Sequence, residues 1–153
     1  MSAAGIVLNE EAREVARAEA QAVLAAVQDE ERRARLGDLI AAVDEGDLGA
    51  DEAATLERVV ELALQTGRVR ALYGPAGEQA ALKVYRRLPV GRELGAAATD
   101  VNAALAQLEG RVVERVTVSA VGPGSHSVTV ATEGLELTIR LDRNCASLGT
   151  VAV

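Results

Sequence analysis

The sequence is short of aromatic residues. It has no Phe and no Trp, and Tyr73 and Tyr85 are its two tyrosines. Hydrophobic residues nevertheless make up 49% of its 153 residues. The core must therefore be built from Ala, Val, Leu and Ile, which bury less area per side chain than aromatic rings do. Because a core of small side chains gains from extra burial between subunits, we expect a homo-oligomer, most simply a dimer.

Cysteine and histidine occur once each, as Cys145 and His126. A single cysteine excludes an internal disulfide and a cysteine-based zinc site. Ser125 precedes His126, but adjacent residues of a strand point to opposite faces and do not form a nucleophile and its base. The sequence therefore predicts a protein that is not an enzyme, with no catalytic residues, no metal site and no cofactor.

Long apolar runs are also missing. No uninterrupted run approaches the roughly 20 residues of a transmembrane helix. The first residues, Met1–Leu8, contain no basic segment of the kind that opens a secretory signal. We therefore expect a cytoplasmic protein without a membrane segment.

Negative charge dominates the sequence, with a formal net charge of −7. This balance argues against general binding to nucleic acid or to anionic membranes. The charge is uneven, however, since residues 1–66 carry −9, residues 67–92 carry +5 and residues 93–153 carry −3. We call residues 67–92 the basic island. An acidic protein with one basic island has an evident surface for an acidic partner.

Helical periodicity fills residues 1–109. Asn9 is a suitable N-cap, and residues 9–45 form either one helix or two, because Asp29 is a second capping residue. Further helices are predicted after the break at Gly46–Gly49, from Pro75 to the residues before Pro89, and after Gly91, while Tyr73–Gly74 stops the helical pattern before Pro75. The first helical segment is Ala-rich and contains Val15, Val23, Leu24 and Val27. The expected apolar stripes of the other segments are Leu36, Leu39, Ile40 and Val43; Leu56, Val59, Val60, Ala63 and Leu64; Ala81, Val84, Tyr85 and Leu88; and Leu94, Ala98, Val101, Leu105 and Leu108.

The period changes to two after Gly110. Leu135, Leu137 and Ile139 alternate with polar residues, and short turns separate four such segments. The predicted fold is α+β, with four or five N-terminal helices in residues 1–109 and a four-stranded antiparallel meander in residues 110–153. A sheet with one apolar face needs a cover, either the last helix or a second subunit.

The stretch Tyr73–Gln79, YGPAGEQ, has two interpretations. In the first it is a corner, where Gly74 stops one helix, Pro75 starts the next and Glu78 satisfies the helix end. In the second it is a site for a small anionic ligand, formed by Arg68, Arg70, Tyr73 and the helix start at Pro75–Gly77, because free N–H groups at a helix start attract anions.

The basic island also has more than one interpretation. Its cations either complement the acidic N-terminal helices, within or between subunits, or form a dock for an acidic protein partner. Nucleic acid is the least favoured partner, since stacking aromatic residues are almost absent. The candidate partner- or ligand-binding residues are Arg68, Arg70, Tyr73, Gly74, Gly77, Lys83, Arg86 and Arg87.

Taken together, these patterns predict a homo-oligomeric interaction or scaffold protein that uses the basic island as its partner surface. The alternative is a small anionic-ligand-binding or regulatory domain with its site at the YGPAGEQ stretch.

Overall fold

A computed structural model describes residues 5–153 of the chain. The first residues of the segment predicted not to be a secretory signal lie outside the described residues. The predicted α+β fold is confirmed, with helices first and an antiparallel sheet last. The elements, in chain order, are β1 Ile6–Val7, α1 Glu10–Ala26, α2 Glu30–Glu45, β2 Asp47–Leu48, α3 Ala50–Gln65, α4 Arg68–Tyr85, α5 Pro89–Ala106, β3 Val113–Gly122, β4 Ser125–Thr132, β5 Leu135–Leu141 and β6 Ala146–Ala152.

The segment 9–45 forms two helices rather than one. The backbone N–H of Ala12 donates to the Asn9 side chain at 3.0 Å, and that of Arg32 donates to the Asp29 side chain at 2.8 Å. Each side chain satisfies an N–H group that has no partner inside its helix. Asp29 is therefore a true second cap, and it restarts the helix after a short extended link.

Alanine forms the core face of α1. Ala12, Ala16 and Ala20 are buried, while the larger Val15 and Val23 are only partly buried. Alanine lets neighbouring helices approach closely, which suits a chain without large aromatic side chains. The larger apolar residues of this Ala-rich segment pack at the margin of the core, and the alanines lie inside it.

A two-strand ribbon was not predicted. β1 and β2 pair antiparallel, with Ile6 opposite Leu48 and Val7 opposite Asp47. Strands of two residues are too short to show an alternating pattern in the sequence. The stretch between α2 and α3, interpreted as a simple break, therefore also holds a strand.

Helix α5 begins three residues earlier than predicted, at Pro89 rather than after Gly91. The Glu57 carboxylate of α3 accepts a hydrogen bond from the Val90 N–H at 3.2 Å and so fixes this start. Gly91 is buried in the first turn, where a Cβ would collide with the Tyr85 carbonyl. Sequence periodicity could not reveal a cap that comes from another helix.

The four-stranded sheet is a meander in the order β3-β4-β5-β6, with every neighbouring pair antiparallel. Leu137 and Ile139 on β5 pack in one cluster with Val101 and Ala104 of α5. The last helix therefore covers part of the sheet, which was one of the two predicted alternatives. Ala98, predicted on the packing stripe of α5, is instead exposed.

One helix does not cover the whole apolar face. A helix is about 10 Å wide, and neighbouring strands lie about 4.8 Å apart, so one helix covers roughly two strands. Val116 and Val118 of β3 occupy the same sheet rows as Leu137 and Ile139, yet they are 58% and 65% exposed. The β3 side of this apolar face is therefore uncovered in the structure.

The chain divides into two compact units, Met1–Arg92 and Glu93–Val153. The sequence placed the change near residue 110, where helix gives way to strand, and the compact units divide earlier, inside α5. Among residues 5–153, none of the helices combines the length and apolar content needed to cross a membrane.

Candidate functional site

Helix α4 carries most of the predicted site residues, and it is kinked at Gly74. The backbone there has φ 67° and ψ −169°, which is not helical. Glycine adopts this conformation without the steric cost that a Cβ would bring. Pro75 follows directly and takes the first position of the second half of the helix, where its missing N–H costs nothing. The predicted stop and restart are thus confirmed as a kink within one element.

Tyr73 and Gly77 pack against each other across this kink. A Cβ on Gly77 would collide with the Tyr73 Cβ, so the glycine leaves room for the tyrosine. Nearly half of the Tyr73 side chain stays exposed. Packing therefore accounts for both residues without a bound ligand.

The two arginines next to the kink are held by carboxylates. Arg70 lies 3.2 Å from Glu78, so this pair spans the kink. Arg68 donates to Glu19 of α1 at 2.9 Å, and the Glu19 side chain is only 1% exposed. Both guanidinium groups proposed to bind a small anion are therefore engaged by the protein itself. This arrangement favours the corner interpretation of the YGPAGEQ stretch.

Lys83 follows the same rule. Its Nζ lies 3.6 Å from the Glu11 carboxylate of α1, and both side chains are largely exposed. Two of the three acids that pair with the basic island, Glu11 and Glu19, come from α1. The geometry therefore supports charge complementarity between the basic island and the acidic N-terminal helices of the same chain.

Arg86 and Arg87 lie at the other end of α4. Together with Arg92 they line a shallow depression beside Gly5 and Ile6. Among the described residues, these three arginines form no ion pair, whereas other cations of the island do. Arg68 and Arg70 lie at the start of α4, before its kink, and Arg86 and Arg87 follow its last residue. The predicted residues therefore fall into two groups and do not form one site.

Two buried carboxylates were missed by the sequence analysis, namely Glu19 and Glu57. The available signal for Glu19 was its place between Ala16 and Ala20 on the alanine face of α1. Glu57 has no comparable signal, because its hydrogen-bond partner Val90 is far away in the sequence. One oxygen of Glu19, Oε1, is buried without a hydrogen-bond partner among the described residues.

The pKa of the Tyr85 phenol is raised by its surroundings in the helical unit. Burial raises the pKa of its phenol above the ordinary value of 10.0, and the negative charges of Glu61 and Glu57 raise it further. The phenol is therefore held in its protonated form. The predicted core position of Tyr85 is consistent with its partial burial against the helical core.

A polar groove between α2 and α3 was also missed. It holds arginines and carboxylates together, and its charged lining residues are Arg35, Asp38, Asp51, Glu52 and Arg58. Charges of both signs nearly cancel there, so the groove offers no strong preference for an ion of either sign. Within residues 5–153, no cluster of His, Cys, Asp and Glu has the geometry to hold a metal ion.

Ser125 and His126 open strand β4 and do not act on each other. The Ser125 hydroxyl donates a hydrogen bond to the Asp142 carboxylate. His126 is exposed and lies in register with Ala120 and Leu141. The side chains diverge, as the alternation of a strand requires.

In comparisons with known proteins, this chain matches no protein-family model, no curated protein sequence and no solved structure.

Proposed function

We propose that this chain is a homo-oligomeric interaction module that assembles through the β3 side of its C-terminal sheet, where apolar side chains are exposed. One observation carries the proposal. Val116 and Val118 are more than half exposed on the same sheet face on which Leu137 and Ile139 are buried under α5. A second subunit that contacts β3 would bury part of this exposed apolar surface.

One further observation supports this proposal. Val113 is also 49% exposed, and the bulge beside it turns it onto the face of Val116 and Val118. Burial of apolar surface contributes about 25 cal/mol per Å², and contiguous exposed apolar patches on soluble proteins commonly mark interaction sites. Three valines in a row on one strand form such a patch.

The test compares two single substitutions in the purified full-length chain. Val118→Glu places a charge on the uncovered face, while Thr150→Glu places one on the polar face of β6, where the side chain is also exposed. We expect the wild type and Thr150→Glu to sediment as an oligomer and Val118→Glu to sediment as a folded single chain. A wild type that stays monomeric at high concentration would contradict the proposal.

We further propose that Arg86, Arg87 and Arg92 dock an acidic segment of a partner protein. The support is their position around one depression where, within residues 5–153, no carboxylate pairs with them, while Arg68, Arg70 and Lys83 are already paired. Three guanidinium groups attract carboxylates and hold them with directed hydrogen bonds.

A labelled poly-glutamate peptide is the probe for this surface. Arg87→Glu should weaken its binding at least about tenfold, because an attraction becomes a repulsion, and added salt should weaken it as well. Arg143→Glu, an equal charge reversal on a turn of the sheet, is the control and should bind like the wild type. Equal binding by both variants would exclude the surface, as would a preference for duplex DNA over the peptide.

The alternative of a small anionic ligand at Arg68, Arg70, Tyr73 and Pro75–Gly77 has weaker support, because Glu19 and Glu78 already hold its arginines. A non-enzymatic role in the cytoplasm remains our proposal. The unpaired thiol of Cys145 is compatible with a reducing compartment.

A further inference from the structure

Strand β3 is an open edge of the sheet. It has ten residues, Val113–Gly122, and pairs with β4 alone. At about 3.4 Å per residue, such an edge is roughly 34 Å long. Every residue of β3 is exposed. The N–H and C=O groups along its outer side are therefore available to another strand.

The middle of this edge has none of the features that usually prevent pairing. Proteins protect open edges with charged residues, proline or bulges. The two bulges of β3 lie at its ends, between Val113 and Arg115 and between Ala120 and Gly122. The stretch 116–120 is Val-Thr-Val-Ser-Ala, regular in register and without charge or proline.

The other edge of the sheet is less suited to pairing. β6 carries an irregularity where its partner strand passes from Thr138 to Ile139. Gly149 lies there so close to β5 that an added Cβ would be 3.1 Å from the Thr138 carbonyl oxygen. A bulge twists and bends an edge, so β6 offers a poorer template for a new strand than β3 does.

We propose that β3 pairs antiparallel with β3 of a second copy of this chain, with Thr117 facing its own copy on the two-fold axis. The two four-stranded sheets then form one continuous sheet of eight strands. This inference rests on the proposed function, because it names the strand through which the homo-oligomer forms.

The symmetry of such a pair limits its register. Residues that face each other in an antiparallel pair point to the same side of the sheet. A two-fold axis normal to the sheet keeps each side chain on its own face, so one residue must face its own copy. The axis therefore lies midway between the two copies of one residue, and residues with different numbers do not face each other at the axis.

The charges of β3 then favour a central residue. An axis at Glu114 or Arg115 brings like charges face to face, which is destabilising. An axis at Val116 places Glu114 opposite Val118. An axis at Thr117 places Val116 opposite Val118 of the second copy and keeps the paired residues within the regular part of the strand.

The same register brings the exposed valines of the two copies into contact. Each copy contributes Val116 and Val118 to one face, and the two pairs meet side by side across the new strand boundary. Side chains directly opposite each other lie about 4.5–5.5 Å apart at Cβ and stabilise the pair. The second copy thus offers β3 a partner that is flat, uncharged and apolar on the matching face.

Cysteine cross-linking tests the pairing in a full-length Cys145→Ser background. Thr117→Cys introduces a thiol on the proposed axis, and Thr150→Cys is the matched control. The two threonines lie in one row of the sheet, on the same polar face and on opposite edges, and both are exposed. Sedimentation of each variant gives its oligomeric state, and non-reducing gels after mild oxidation or a short bis-maleimide give the covalent dimer.

We expect Thr117→Cys to form the covalent dimer about tenfold faster than Thr150→Cys, because only its thiols would lie within bonding reach. Adding Val118→Glu should suppress that reaction. A dimer by sedimentation in which Thr150→Cys reacts faster, or in which neither variant reacts, would overturn the β3 pairing and leave the oligomer standing. Faster reaction of Ser119→Cys than of Thr117→Cys would overturn the register. A monomer by sedimentation would overturn the oligomer itself.

Discussion

The ion pair between Glu19 and Arg68 joins a buried carboxylate to a single cationic partner. A carboxylate that is 1% exposed has lost nearly all of its hydration. Removing a charge from water costs several kcal/mol unless a partner compensates for it. Arg68 is that partner, and it remains partly exposed, so the pair connects the buried carboxylate to the surface of the helical unit.

Arg68→Ala should therefore destabilise the protein by about 3 kcal/mol, since it leaves a buried charge without a partner. Arg70→Ala removes the exposed pair with Glu78 and should cost about 0.5 kcal/mol. The free energy of unfolding in denaturant titrations measures both. Equal losses in the two variants would contradict the role assigned to burial.

Tyr85 predicts a stability change at alkaline pH. Because burial and the charges of Glu61 and Glu57 raise its pKa in the folded state, the unfolded state loses the phenol proton first. The contribution of the Tyr85 phenol to the free energy of unfolding is therefore fully present below about pH 10. It is lost as the pH rises from there through the folded pKa.

Tyr85→Phe should reduce this alkaline loss of stability, while Tyr73→Phe, a matched change at the more exposed tyrosine, should retain it. Denaturant unfolding over a series of alkaline pH values gives the free energy for each variant. The interpretation fails if the two variants lose stability in parallel.

The sequence predicted that the basic residues of the candidate site lie near one another, but it did not predict the acidic residues that pair with them. The sequence places Arg68, Arg70 and Lys83 among basic neighbours, which suggests a surface open to a ligand. In the structure, acids on α1 and beyond the kink neutralise them. Such pairing depends on which faces of distant helices meet, and helical periodicity alone does not specify those contacts.

The kink in α4 is a feature of the element rather than of any side chain. Gly74→Ala should cost about 1–3 kcal/mol, because the backbone conformation there is strained for any residue with a Cβ. Gly37→Ala, in the interior of α2, has open space around the added methyl group and should stabilise the protein by about 0.5–1 kcal/mol. Thermal unfolding of both variants measures the change in stability. If both substitutions stabilised the protein, or both destabilised it, the strain assigned to Gly74 would be refuted.

Elements with local signals were predicted well. The capped starts of α1 and α2, the corner at Pro75 and the alternation of β5 all depend on residues a few positions apart. Elements fixed by distant contacts were missed, such as the β1–β2 ribbon and the early start of α5. The sequence also predicted an apolar sheet face without revealing that α5 covers only part of it, because coverage depends on packing geometry.

At the scale of the whole molecule, the sheet and its helix form one folding unit. The cluster of Val101, Ala104, Leu137 and Ile139 joins α5 to the sheet. A fragment of residues 89–153 should therefore unfold cooperatively, whereas residues 110–153 should not, since Leu137 and Ile139 would be exposed to water. Circular dichroism during heating distinguishes them, and a cooperative transition in the shorter fragment would argue against this division.

The hydrogen bond from the Val90 N–H to Glu57 also has a consequence for the order of folding. Helix α5 takes its first turn from a carboxylate on α3, a helix that is synthesised earlier. A growing chain folds largely from its N-terminus as it emerges, so α3 can already be in place when residue 90 appears. The start of α5 is then templated by finished structure, and the strands that follow emerge beside a helix of fixed register that shields part of their apolar face from aggregation.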